Sequence, residues 1–331
     1  MISSMKNAKS YGWSEYYGDT EKFEQTRNGA AIYDTNPKNY YVYLCKFERC
    51  TENGAIQIQS SNKICTLLED NIFNSCKSNG YGGSFCYYCS QSPVVQQRNC
   101  YSESIAYTGN SFLTRIYSDP PEFNYAFDIS VSNCGESDSN GDCTASLEMG
   151  DIQIKHNNIT YNRCNELSSI YSSFSGSTGY CNFSTFRENN CTGRASFYFK
   201  TSSNSRGSVI QNISNCNVIG NKCGTDREKS LFECDINTYV DHCVFLNNTA
   251  VYMFFVSSEE ATLTITDSYV DPKTKSGVVN FERDNPNLDP INISEFGPEN
   301  CIIEEKKILT AKIFCFWSFT ESSISLFVKS R

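Results

Sequence analysis

Cys216-Asn-Val-Ile-Gly-Asn221 is followed by Cys243-Val-Phe-Leu-Asn-Asn248, the same outline displaced by 27 residues. Working outward from this pair, the core of the outline recurs: an aromatic or aliphatic residue, two variable residues, then Cys or Asn. It stands at Phe47–Cys50, Phe73–Cys76, Val131–Cys134, Tyr161–Cys164, Phe186–Asn189, Val218–Asn221 and Phe245–Asn248. Gln97–Cys100 fits with a polar first position, and Tyr269–Pro272 is a degenerate copy that marks the end of the regular stack. Intervals between first positions are 26, 24, 34, 30, 25, 32, 27 and 24 residues. Variable length around a common value is what a solenoid gives when the loops on one side differ from coil to coil.

Between the signatures lie short runs of β-formers, such as Gly54–Ile58, Ser84–Tyr88, Ala195–Phe199, Ser230–Cys234 and Ala250–Phe255. Apolar residues at three-to-four spacing are scarce, so helices are not expected. Three short strands and three turns fit a coil of about 27 residues. The expected fold is therefore all-β, a single right-handed parallel β-helix of about nine to ten coils. Its equivalent positions stack ~4.8 Å apart, because each strand pairs with its copies above and below.

Stacking turns the small residues into columns. Cys191 and Cys223 both lie two places after a signature, and Cys216 and Cys243 both lie two places before one. One rung of separation falls within the Cα distance a disulfide tolerates. Each pair is therefore either a bridge or a stack of free thiols. Eighteen cysteines are many for a reduced cytosolic chain. Zinc is not expected, since Cys86–Cys89 is the only C-x-x-C pair and the only histidines are His156 and His242. The 34 Asn suit turns and ladders. A net charge of -9 argues against nucleic-acid or anionic-membrane partners.

Asn28–Ile32, Asn53–Ile56 and Gly82–Phe85, taken with Phe-x-x-Asn at 186–189 and 245–248, resemble polymorphic outer-membrane-protein repeats. The chain is similar to asparagine- and cysteine-rich surface proteins of mucosal protozoan parasites, within the pectin-lyase-like superfamily. The likeness covers residues 28–272 and implies adhesion or display at a cell surface or outside the cell. The chain departs from that group in having no apolar core in residues 1–13 to read as an export signal, and no run of eighteen apolar residues.

The same superfamily contains lyases and hydrolases, and fold does not decide function. The N-T-D, G-H-G and R-I-K segments of a polygalacturonase-like site are absent; Arg115-Ile-Tyr117 is the nearest fragment. Val240-Asp241-His242-Cys243 is similar to the V-D-H-C stretch of pectate-lyase-like enzymes, but the R-x-P-x-x-R segment is missing. Asp241 and His242 are thus the weak catalytic candidates, and His156 is read as an outward strand residue. Six glycosylation sequons stand at Asn158, Asn182, Asn190, Asn212, Asn247 and Asn292. The excursions Asp119–Glu122 and Gly135–Asp142 are read as either a binding face or solvated acidic loops.

The expectation is a lead-in or cap over 1–27, a β-helix over 28–290 and a non-repeat tail over 291–331. Lys306, Lys307 and Phe314–Phe319 in that tail would cap the stack, anchor it weakly or reflect the reading frame. A non-catalytic surface, adhesion or display protein is the leading function, binding glycans or host and cell-surface proteins through its faces and loops. No cofactor or metal is expected. The alternatives are a polysaccharide lyase or hydrolase, or a non-functional fragment of a longer relative.

Overall fold

The computed structural model describes residues 12–26, 29–34, 38–137, 141–174, 178–201, 209–224, 229–292 and 301. Each coil carries three short strands, each in a different sheet. In one coil Ile210–Ser214 lies in sheet A, Asn217–Ile219 in sheet C and Ser230–Cys234 in sheet B, before Asn237–Asp241 returns to sheet A. Sheets A, B and C hold 11, 10 and 9 strands, and the pairing within them is parallel. The nine strands of sheet C enclose eight intervals, so the β-solenoid makes about eight turns rather than nine to ten. The one helix among the described residues, Trp13–Tyr17, is five residues long.

The registers refine the repeat. In sheet C the inward column is Phe47, Phe73, Tyr101, Val131, Ile159, Phe186, Val218, Phe245 and Val270. The intervals become 26, 28, 30, 28, 27, 32, 27 and 25 residues. Gln97, Tyr161 and Tyr269 are therefore not the repeating positions; their neighbours Tyr101, Ile159 and Val270 are. Near the start of the column the rings lie parallel, with Phe47 and Phe73 centred 4.9 Å apart and Phe73 and Tyr101 4.7 Å apart. Offset ring pairs of this kind contribute about 0.5–1.5 kcal/mol beyond their buried area.

Both turns flanking sheet C obey one rule. Before the sheet, Leu44, Asp70, Arg98, Asp128, His156, Phe183, Asn215, His242 and Asp267 all adopt φ between +47° and +55°. After it, Arg49, Ser75, Glu103, Asn133, Tyr161, Glu188, Gly220 and Asn247 adopt φ between +53° and +67°. A left-handed residue costs about 1–2 kcal/mol unless it is glycine, so something must offset it at nearly every turn.

At every such turn except the one at Asp128, where Ile129 follows, the next residue is an Asn, Cys or Ser that supplies the offset. It points inward and bonds the coil beneath. In the second turn Asn162, Asn189, Asn221 and Asn248 form a buried ladder. The Oδ1 of each accepts the backbone N–H of the ladder residue one coil earlier at 2.9–3.0 Å, beginning with Cys134. Their Nδ2 groups donate to Val131, Ile159, Phe186 and Val218 carbonyls. Asn71, Asn99 and Asn157 do the same in the first turn, where Cys45, Cys216 and Cys243 fill equivalent slots. Backbone groups that would otherwise be orphaned at a buried turn are thereby satisfied.

Chain segments at both ends cover parts of the outer surface. Trp13–Tyr17 does not close the end of the stack; it packs on the outer side of sheet A against Leu67 and Val95. Tyr17 Oη donates to the Thr66 carbonyl at 2.8 Å. Strand Phe23–Thr26 already belongs to sheet A, and Val279–Phe281 is that sheet's last strand. Beyond it the chain meets the outer side of sheet C at two described points. Asn217 pairs its amide with both backbone groups of Ile291, and Cys100 forms a disulfide with Cys301, 201 residues away. Lys306, Lys307 and Phe314–Phe319 lie outside the described residues.

Candidate ligand groove on sheet B

The outer face of sheet B carries a groove. Strand alternation sends Phe85, Tyr87 and Cys89 into the core and turns Cys86 and Tyr88 outward. Stacking then sets Tyr88, Arg115 and Glu148 in one outward column and Ser146, Tyr171, Tyr198 and Glu233 in the next. The connections from sheet C form the side wall, presenting Tyr81, Tyr107, Asp142, Glu166 and Arg194. The groove encloses about 390 Å³ over a floor of Cys143, Leu167, Ala195 and Tyr198.

Its polar groups are held by ion pairs and rings. Arg115 is paired with Glu148 and lies over the Tyr88 ring, 5.3 Å from its centre. Arg194 Nε donates to Glu233 at 2.8 Å, and its guanidinium covers Tyr198 at 4.8 Å. Burial pushes the Glu233 carboxyl above its ordinary value; Arg194 pulls it the other way without cancelling the shift. Burial also works against the Arg115 charge, and Glu148 and the Tyr88 and Tyr117 hydroxyls together more than offset it, so that guanidinium stays protonated. Tyr88 and Tyr117 hydroxyls lie 3.0 Å apart at the groove's far edge. Tyr81 and Tyr107, at 51% and 66% exposure, leave their rings open to solvent. Such a surface offers flat apolar faces beside rigid donors and acceptors, the combination that orients a polar ring compound.

Most of the residues singled out by sequence lie elsewhere. Asp241 ends a strand of sheet A and His242 follows in a left-handed turn, with Nδ1 2.8 Å from Asp241 Oδ2. Asp267 sits one coil further, and the three offer ligand atoms within 4.8 Å of one another. They occupy an outer ridge, and Arg283 already pairs with Asp267. His156 is a turn residue with φ +54° rather than a strand residue, beside Asp128 at 3.3 Å. Of the two excursions, Asp142 reaches the groove, accepting from Thr108 Oγ1 at 2.9 Å, and Glu122 pairs with Lys63. Residues 138–140 lie outside the described residues.

The cysteine columns fall on consecutive coils. Cys191 and Cys223 sulfurs are 3.4 Å apart and unbridged, and Cys216 N–H meets Cys243 Sγ at 3.4 Å. Among the sequons, Asn247 and Asn292 are exposed, whereas Asn158, Asn182, Asn190 and Asn212 are half-buried. Sequence reasoning missed Tyr88, Arg115, Glu148, Tyr171, Arg194, Tyr198 and Glu233 as a group. Their signal is visible only once outward columns are written in register. Compared with known proteins, the chain matches no family model, no curated protein and no solved structure.

Proposed function

We propose that the chain is a non-catalytic, surface-displayed binding protein that takes a glycan along the outer groove of sheet B. The observation that carries this reading is the pair of solvent-open tyrosines, Tyr81 and Tyr107, above fixed Arg–Glu pairs. Sugar rings present apolar faces to tyrosine and hydroxyls to carboxylates and guanidinium groups. The Cys100–Cys301 disulfide supports an extracellular setting, because such bonds persist in oxidising compartments. Membership of the pectin-lyase-like superfamily, and kinship with repeat-bearing surface proteins, belong to the same proposal. They rest on the Phe-x-x-Asn spacing and the asparagine ladder it produces.

Calorimetric titration with oligosaccharides first picked from a glycan array tests it. Tyr107→Ala should weaken binding about tenfold, the effect of losing roughly 1.4 kcal/mol of ring contact, with the melting temperature unchanged. Failure of the intact protein to bind any glycan overturns the proposal. The polysaccharide lyase or hydrolase reading is the other outcome: turnover of a uronate polymer that disappears in Asp241→Ala supports it instead.

A further inference from the structure

We infer that Cys191 and Cys223 are the site of a second disulfide, a rung-to-rung cross-link that locks the turn carrying Arg194 in the groove wall. Their sulfurs are 3.4 Å apart, and the rungs that bear them are already tied by the Cys191 N–H to Lys222 carbonyl bond of 2.9 Å. One rung of a parallel sheet, ~4.8 Å, lies within the Cα span a disulfide accepts. Cys191 Sγ also contacts the Ala195 carbonyl at 3.4 Å. The residues between them, Thr192, Gly193 and Arg194, are the turn that holds the groove's guanidinium.

Two comparisons set this pair apart from its neighbours. In the Cys216 and Cys243 column the sulfurs occupy asparagine-ladder slots and serve the backbone. Cys243 Sγ accepts from Cys216 N–H, and the two thiols face the Ser214 and Asp241 carbonyls of their own coils at 3.2 and 3.3 Å. Cys164, one rung before Cys191 in register, extends the row to three thiols, but the close sulfur contact is between Cys191 and Cys223. Hydrogen bonding between the two holds the Cys191 thiol below its ordinary value against the effect of burial and pushes Cys223 well above its own, so Cys191 is the thiolate that starts exchange.

The chemistry needs an external oxidant, and a small disulfide such as oxidised glutathione supplies it. Cys191 thiolate attacks one sulfur and releases a first glutathione thiolate. Once Cys191 carries the mixed disulfide, Cys223 gives up its proton to the departing glutathione as its sulfur attacks the Cys191 sulfur and releases the second thiol. Two cysteine S–H bonds become one S–S bond, and the two electrons and two protons leave as two glutathione thiols.

The full chain, incubated in a glutathione redox buffer, acid-quenched, alkylated and digested without reduction, gives the answer by mass spectrometry. The expected result is a Cys191–Cys223 linked peptide pair that persists in Cys164→Ser and vanishes in Cys223→Ser. Full alkylation of both residues while Cys100–Cys301 stays linked overturns the inference, as does Cys191 joined to Cys164. Peptide mapping of the unmutated chain decides the matter even if Cys223→Ser fails to fold.

Discussion

Asn189 makes the asparagine ladder testable in one substitution. The residue is fully buried and takes part in four bonds through its side chain. It accepts from Asn162 N and Nδ2 at 3.0 and 2.9 Å, and donates to the Ile159 carbonyl and Asn221 Oδ1 at 2.8 and 3.0 Å. Asn189→Ala strands the Asn162 backbone N–H and removes a donor from Ile159. Each orphaned buried group costs about 1–3 kcal/mol, which places the substitution at about 2–6 kcal/mol. Asn221→Ala should cost the same. The two residues share the bond between their side chains and the Asn189 N–H to Asn221 Oδ1 bond, so the double variant should lose about 1–3 kcal/mol less than the sum of the singles. With a urea dependence of about 3 kcal/mol per molar for a chain of this size, each single variant should unfold about 0.7–2 M earlier. Costs below about 1 kcal/mol, or energies that simply add within about 0.5 kcal/mol, would refute the ladder as the device that holds the turns.

Three further outcomes follow from the same geometry. Cys243→Asn places an amide where Cys216 N–H now meets only a sulfur, within reach of the Ile213 carbonyl, so it should raise stability by about 0.5–1.5 kcal/mol in urea titration; a loss of stability contradicts the slot equivalence. Reducing Cys100–Cys301, or Cys301→Ser, opens a loop of 201 residues and should cost about 2–4 kcal/mol, so coincident melting curves with and without reductant would count against the bridge. Glu233 titrates above its ordinary 4.5 in the folded chain, which therefore binds that proton more tightly than the unfolded chain does. Its contribution to stability is present below pH 4.5 and declines as pH rises above it; Glu233→Gln should flatten that decline, and parallel pH profiles for the two proteins would contradict it.

The coil was legible because its constraint is local. Nearly every turn beside sheet C has a left-handed residue followed by a small inward one, Ile129 being the large exception, so Asn, Cys or Ser recurs at fixed distance from the ring that fills the core. Matching on cysteine led to misregister in two coils for one reason. Cys100 faces outward to its bridge and Cys164 belongs to the thiol row, while the true ladder slots hold Ser104 and Asn162. The groove was not legible. Tyr88, Arg115 and Glu148 are separated by 27 and 33 residues and alternate with core positions, so only the strand register makes them neighbours. The Cys100–Cys301 bridge escaped as well, since no spacing rule links a repeat to a segment outside it.

Vertical stacking underlies every site described, and pulsed dipolar spectroscopy measures it directly. Tyr43, Lys155, Ser214 and Thr266 share one outward column of sheet A, four, six and eight rungs apart from the first. Spin labels introduced as non-natural residues at Tyr43 and each of the others should report backbone separations of ~19, ~29 and ~38 Å, a constant ~4.8 Å per rung. Distances that fail to grow in that proportion would contradict the stacked-coil account.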